Sequence, residues 1–251
     1  MSIPFEPAIG DWNVNIHLIL EYVAFFTAYR YYVYLKKNAV DQISSGNRLS
    51  IILGAALGAL AGSRIMGLLE NPLIDFSAVD FMQLYNVKTI MGGLFGGLLG
   101  VEIAKTIIHE KNSSGDLFTL PIIVGIFIGR IGCFLSGTNE FTYGTPTSFL
   151  MAMDLGDGVL RHPIALYELV FLMILFVVIR NLYYRNNLAS GTLFKIVMLS
   201  YFGFRFFIEF IKPNPFLLLG LSSIQWLCVV CFVYYRKTLL SLYAYTKVHL
   251  L

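Results

Sequence analysis

The chain has 251 residues, 57% of them hydrophobic and only 13% charged. A soluble domain carries about 25% charged residues, so the polar surface needed to cover one or two water-borne domains of this length is missing. The formal charge of +3 is too small to indicate a nucleic-acid partner, and three cysteines are too few for a disulfide framework.

In chain order, apolar segments run over residues 14–34, 49–69, 89–108, 117–135, 163–179, 193–211 and 216–235. Each is near the ~20 residues that cross a hydrocarbon core. The expected class is therefore all-α: a polytopic membrane protein with seven transmembrane helices, forming one integral membrane domain over 1–251. No Lys or Arg precedes Arg30, so the basic start of a cleavable signal is absent, and the first segment is expected to be kept as an anchor. Lys36, Lys37 and Arg48 follow segment one, Lys105 and Lys111 close segment three, Arg180, Arg185 and Lys195 follow segment five, and Arg236, Lys237 and Lys247 lie in the tail. The alternate loops hold only Lys88, Arg161 and Lys212. Cytoplasmic loops carry the Lys/Arg excess, which predicts an N-terminus outside and a C-terminus inside, an arrangement that needs an odd number of helices.

Glu21, Arg64, Glu102, Arg130, Arg205 and Glu209 fall within the apolar segments or at their ends. A charge at the bilayer centre costs at least ~2.5–3.5 kcal/mol, so such groups imply pairing or a wet cavity. Arg130 lies near the outer end of segment four. Tyr201, Arg205 and Glu209 recur every four residues in the outer half of segment six, on one helix face. Either they form a structural Arg–Glu pair that fixes packing, or they belong to a polar site near the outer leaflet. Gly54, Gly58 and Gly62 in segment two, and Gly92, Gly96 and Gly100 in segment three, have the spacing at which helices approach closely in lipid. A phosphate-cradling loop would need a preceding strand. Cys228 and Cys231 form a C-x-x-C inside an apolar stretch without a second pair, and read as packed thiols. The longest outer loop, 136–162, contains Glu140 and ends in Arg161-His162-Pro163. Pro163 suits the first turn of a helix, which puts His162 at its entrance, with Tyr167 and Glu168 one turn in. His162 is either a capping residue or a group that exchanges protons near neutral pH.

Gly129-Arg130-Ile131-Gly132-Cys133-Phe134 resembles the Gly-Arg-x-Gly-Asn-Phe signature of prolipoprotein diacylglyceryl transferases. His162-Pro163-Ile164-Ala165-Leu166-Tyr167-Glu168 is similar to that family's His-Pro-x-x-Leu-Tyr-Glu. Tyr201 to Phe210 resembles its Tyr-x-x-x-Arg-x-x-x-Glu-Phe, Gln225 falls where a Gly-Gln pair is usual, and the Gly-Gly-x-x-Gly-Gly of segment three corresponds as well. The likeness runs in order from Leu49 to Tyr235. It departs from the pattern in four places: Phe95 stands where His or Tyr is usual, Cys133 replaces the signature Asn, the interval to Tyr143-Gly144 is long, and Glu21 and Tyr22 occupy the region of an early Tyr-Gly in segment one.

The resemblance implies transfer of diacylglyceryl from phosphatidylglycerol to the lipobox cysteine thiol of an exported lipoprotein precursor, in a bacterial cytoplasmic membrane and with the active site on its outer side. It implies Arg130 and Arg205 at the lipid phosphate, where planar guanidinium forks suit the ligand. It further implies Tyr201, Glu209 and His162 as catalytic groups, with Glu140, Gly144, Glu168 and Gln225 in substrate binding. Glu209 and Glu140 are expected to orient the arginines, and Phe95 leaves His162, oriented by Glu140, as the expected proton acceptor. No metal or organic cofactor is implied. A related transferase with another acceptor, or a non-catalytic lipid-binding protein, is the alternative.

Overall fold

The structure, a computed structural model, describes residues 3–9, 12–39, 43–70, 87–185, 188–214 and 218–240. Lys247, and residues 216 and 217 of the seventh predicted segment, lie outside the described residues. Among the described residues the α-helices are α1 (Ile16–Lys37), α2 (Ser45–Glu70), α3 (Ile90–Ile107), α4 (Thr119–Ser136), α5 (Ile164–Arg185), α6 (Thr192–Ile208) and α7 (Ser223–Tyr234). Each falls on one predicted apolar segment. Two short antiparallel ribbons accompany them: β1 (Ala8–Ile9) with β2 (Trp12–Asn13), and β3 (Met153–Asp154) with β4 (Leu160–Arg161).

Local chemistry sets the helix ends. The Asn15 side chain accepts the Leu18 N–H at 2.9 Å, and Thr89 Oγ1 accepts the Gly92 N–H at 3.0 Å, so both satisfy donors that an opening helix leaves unpaired. Lys36 and Lys37 occupy the last turn of α1, where positive charge suits the helix dipole. Gly137 ends α4 at φ +54°, and a Cβ there would meet Ile3 Cγ2 at 2.6 Å, so a residue without a side chain is required. The seventh helix begins at Ser223, seven residues later than expected. Leu219 and Gly220 take positive φ in a turn closed by Leu218 and Leu221, and Ser222 and Gln225 then form a reciprocal capping box. Apolar composition alone does not reveal that turn. The fifth helix runs past residue 179 to Arg185.

Among the described residues four segments, Ser45–Glu70, Ile90–Ile107, Asp116–Asn139 and Ile164–Arg185, are long and apolar enough to cross a membrane. Large apolar side chains remain exposed along the helices: Phe25, Phe26 and Tyr29 on α1, Leu53, Leu57 and Leu60 on α2, and Met173, Ile174 and Val177 on α5. Contiguous apolar surface of this kind marks a face made for lipid or protein rather than water. The fold is an all-helical membrane fold.

The chain divides into two compact units. In the first (residues 1–40, 115–197 and 210–213), α4 packs against α1 on one side and α5 on the other. Gly125 and Gly132 of α4 face Ala28, His17 and Leu20 of α1, within 3.0–3.4 Å of where a Cβ would stand. In the second (residues 41–114, 198–209 and 214–251), α2 and α3 pack backbone to backbone. Gly54 faces Gly100, Gly58 faces Gly96 and Gly100, and Gly62 faces Gly92 and Gly96. A Cβ on Gly54 would lie 2.6 Å from the Gly100 carbonyl oxygen and 2.7 Å from Ala104 Cβ, so two columns of glycine make this approach sterically allowed. Cys228 and Cys231 of α7 are fully buried free thiols.

Candidate active site

In the first unit the polar core is built on α4. Arg130 is 6% exposed, and its Nε lies 2.8 Å from Glu168 Oε1 in an ion pair. Glu168 lies in the second turn of α5 and has no exposed surface. The Gly-Arg-x-Gly and His-Pro-x-x-Leu-Tyr-Glu stretches therefore meet in one buried ion pair. Burial makes this pair unforgiving, because removing either charge takes compensation from the other. The Arg130 Nη1 lies 3.6 Å from Cys133 Sγ, one turn on. The same sulfur lies 3.6 Å from Nε2 of His17, and Nδ1 of His17 lies 3.0 Å from Oε1 of Glu140. Gly132 permits the sulfur–imidazole approach: a Cβ there would stand 3.0 Å from His17 Cδ2. Glu140 was expected to orient an arginine and His162. The carboxylate on Arg130 is that of Glu168, and Glu140 meets His17, because the loop after α4 turns back over the start of α1. In the same loop Asn139 Nδ2 donates to Glu6 Oε1 at 2.6 Å.

The loop between α4 and α5 carries a second set of polar residues in this unit. Gly144 donates its N–H to the His162 carbonyl at 3.0 Å, and a Cβ on Gly144 would meet His162 Cβ at 2.5 Å. His162 Nδ1 lies 3.2 Å from the Tyr167 hydroxyl, and its ring packs on Phe149. Pro163 precedes the first residue of α5, and its carbonyl accepts the Leu166 and Tyr167 N–H groups. Arg161 pairs with Asp157 at 2.6 Å and stacks its guanidinium over Tyr143. Its hydrogen bond holds the Asp157 carboxyl below the ordinary carboxylate range.

The second unit holds the other motif. Tyr201, Arg205 and Glu209 are all buried. Arg205 Nη2 donates to Glu209 Oε1 at 2.5 Å, so the carboxylate expected at this arginine is the one that meets it. Helix α6 ends at Ile208, and Glu209 opens the following 3-10 turn, Glu209–Ile211. Asn214 Nδ2 donates to the second oxygen of Glu209. Gln225, expected in substrate binding, is fully buried. Its Oε1 accepts the Ser222 N–H at 2.9 Å and its Nε2 donates to the Phe206 carbonyl at 3.1 Å. Phe95 is buried against Phe202 and Tyr234.

Sequence reasoning missed His17 and Asn214. The signal for His17 was a histidine at the edge of segment one. Nothing in the periodicity marked Asn214. Among the described residues no group of His, Cys, Asp and Glu could hold a metal ion.

Residues 5–240 match the family described as "Prolipoprotein diacylglyceryl transferase". A phosphatidylglycerol–prolipoprotein diacylglyceryl transferase of Wolbachia sp. subsp. Brugia malayi is 32% identical over 193 residues, covering 72% of this chain and 68% of the relative. Its counterpart in Bordetella bronchiseptica is 32% identical over 195 residues, covering 72% and 69%. That of Ehrlichia ruminantium is 30% identical over 240 residues, covering 89% and 88%.

Proposed function

Since the chain belongs to the prolipoprotein diacylglyceryl transferase family of membrane transferases, we propose that it carries out that reaction with phosphatidylglycerol as donor and the lipobox cysteine of an exported lipoprotein precursor as acceptor. The acceptor thiol loses its proton, its sulfur attacks the glyceryl carbon, and the carbon–oxygen bond to phosphate breaks. The electron pair leaves on glycerol phosphate, and a thioether remains. Arg130 and Arg205 meet the phosphate charge that grows as this bond breaks. Glu168 and Glu209 hold their respective guanidinium groups in place, and Tyr201 stands one turn before Arg205 on the same face. Gly144 supplies a close backbone approach beside His162.

The observation that carries this reading is the Arg130–Glu168 pair, which joins two separate family motifs in one buried contact. The protein spans the bacterial cytoplasmic membrane seven times, with its N-terminus and the loop 136–162 on the outer side; the Lys/Arg distribution supports that topology.

The test uses the purified chain in phosphatidylglycerol vesicles with a lipobox peptide, read by the mass gained on the peptide cysteine. Arg130→Lys and Arg205→Lys keep the charge and lose the planar fork. A charge-assisted hydrogen bond is worth ~1.5–3 kcal/mol, so each variant should transfer roughly 10–150-fold more slowly. Wild-type rates in both variants would remove the arginines from the reaction. Consumption of the lipid without peptide modification would point to another acceptor, and binding without consumption to a lipid-binding protein.

A further inference from the structure

The structure brings together proton-exchanging groups that the family motifs do not connect: Cys133 at the signature's Asn position, His17 and Glu140. Cys133 is 6% exposed and borders a small cavity with Phe134, Thr142, Tyr143 and Pro163 at the base of the outer loop. Its sulfur stands 3.6 Å from Arg130 Nη1 and 3.6 Å from His17 Nε2. The other ring nitrogen of His17 stands 3.0 Å from Glu140. Exposure rises along the series, to 15% for the His17 side chain and 39% for that of Glu140. The groups thus lead from the buried guanidinium towards solvent. A thiol and an imidazole within contact, with a carboxylate orienting the far nitrogen, is the arrangement that moves a proton off sulfur. The groups that face this chain are Arg130 from α4, paired in turn with Glu168 of α5, and Glu6, which receives the Asn139 hydrogen bond next to Glu140.

We propose that Cys133, His17 and Glu140 form the proton relay of the transfer: the acceptor thiol gives its proton to Cys133 Sγ as the Cys133 thiol proton passes to His17 Nε2. This rests on the reading of the chain as a diacylglyceryl transferase. One S–H bond breaks on the acceptor, one is exchanged on Cys133, and one N–H bond forms on His17. The acceptor is left as a thiolate and His17 as an imidazolium, whose Nδ1–H is held by the Glu140 carboxylate. The thiolate then displaces glycerol phosphate, and His17 returns its proton to the outer solution past Glu140. Cys133 and His17 are catalytic residues in this scheme, and Glu140 is a positioning residue. The relay takes the role that the sequence gives His162, whose imidazole meets Tyr167 instead.

The experiment is a pH profile of transfer to the lipobox peptide by the full chain in phosphatidylglycerol vesicles. An ordinary thiol has a pKa near 8.5, so it is only a few per cent ionised at pH 7 and mostly ionised at pH 9. His17→Gln should lower kcat at least tenfold at pH 7 with little change in KM for the lipid, and most of that loss should vanish by pH 9. Cys133→Ala should behave in the same way, whereas Cys133→Ser, which keeps a proton-exchanging hydroxyl, should retain most of the pH 7 rate. A loss equal at all pH values, a wild-type rate in His17→Gln, or equal loss in the serine and alanine variants would overturn the relay. So would a pH-dependent loss found in His162→Gln and absent from His17→Gln. A second readout needs no turnover: methyl methanethiosulfonate should modify Cys133, scored by peptide mass, at least tenfold more slowly in His17→Gln at pH 7. An unchanged modification rate counts against the relay. If the wild type transfers nothing, the transferase reading fails and the relay's role with it, and the reagent arm still reports whether His17 and Cys133 are coupled.

Discussion

Arg130 and Arg205 are buried beside carboxylates with no exposed surface. Such pairs are poor evidence for stability, since desolvation costs several kcal/mol per ion and a well-packed apolar replacement of both partners is often neutral. This separates a packing role from a chemical one. Glu168→Gln removes the buried carboxylate charge beside Arg130, and the protein should lose up to ~3–5 kcal/mol, seen as a lower thermal unfolding midpoint in detergent. The double variant Arg130→Met/Glu168→Leu should recover most of that midpoint and still fail to transfer lipid. A stable double variant with wild-type transfer would make the pair purely structural, the alternative that charge and spacing alone leave open.

At the level of elements, α2 and α3 depend on which glycines face each other. Gly58 and Gly96 leave no room for a Cβ, whereas at Gly93 the nearest atom to an added Cβ is 3.7 Å away and at Gly97 it is 3.5 Å. Lipid supplies no hydrophobic drive between helices, so close backbone packing carries their association. Gly58→Ala and Gly96→Ala should each push the helices apart and lower the thermal midpoint, while Gly93→Ala and Gly97→Ala should match or slightly exceed the wild type, because alanine is the better helix former. Equal effects at all four positions would show that the columns are not the contact. The fourfold spacing is visible in the sequence, but the phase that distinguishes Gly96 from Gly97 is decided by the partner helix.

For the whole molecule the testable quantity is topology. Among the described residues four segments meet the length and composition of a membrane span, while α6 and α7, at 17 and 12 residues, are shorter than the ~20 residues of a perpendicular crossing. The Lys/Arg asymmetry still calls for an odd number of crossings. Reporter fusions after Lys111 and after Arg185 should read cytoplasmic, and a fusion at Gly156 external. A reversed pattern at two of these points would place the loop 136–162 and His162 inside, and would exclude an acceptor that arrives from the outer face.

The sequence by itself determined the helical membrane class, the position of every described helix to within a few residues except the start of α7 and the end of α5, and the family. These depend on composition, apolar run length and short motifs, which are local properties of the chain. It also determined the Arg205–Glu209 contact, because four residues along a helix bring two side chains to the same face. Only the tertiary structure decided that Glu168 is the carboxylate at Arg130, that Glu140 meets His17, and that His17 reaches Cys133 across 116 residues of sequence. Those pairings lie on different helices and loops, and helical periodicity says nothing about the rotation of one helix against another. Gly132, which lets His17 and Leu20 of α1 come close to α4, is one point where that rotation is set, and it brings His17 to Cys133.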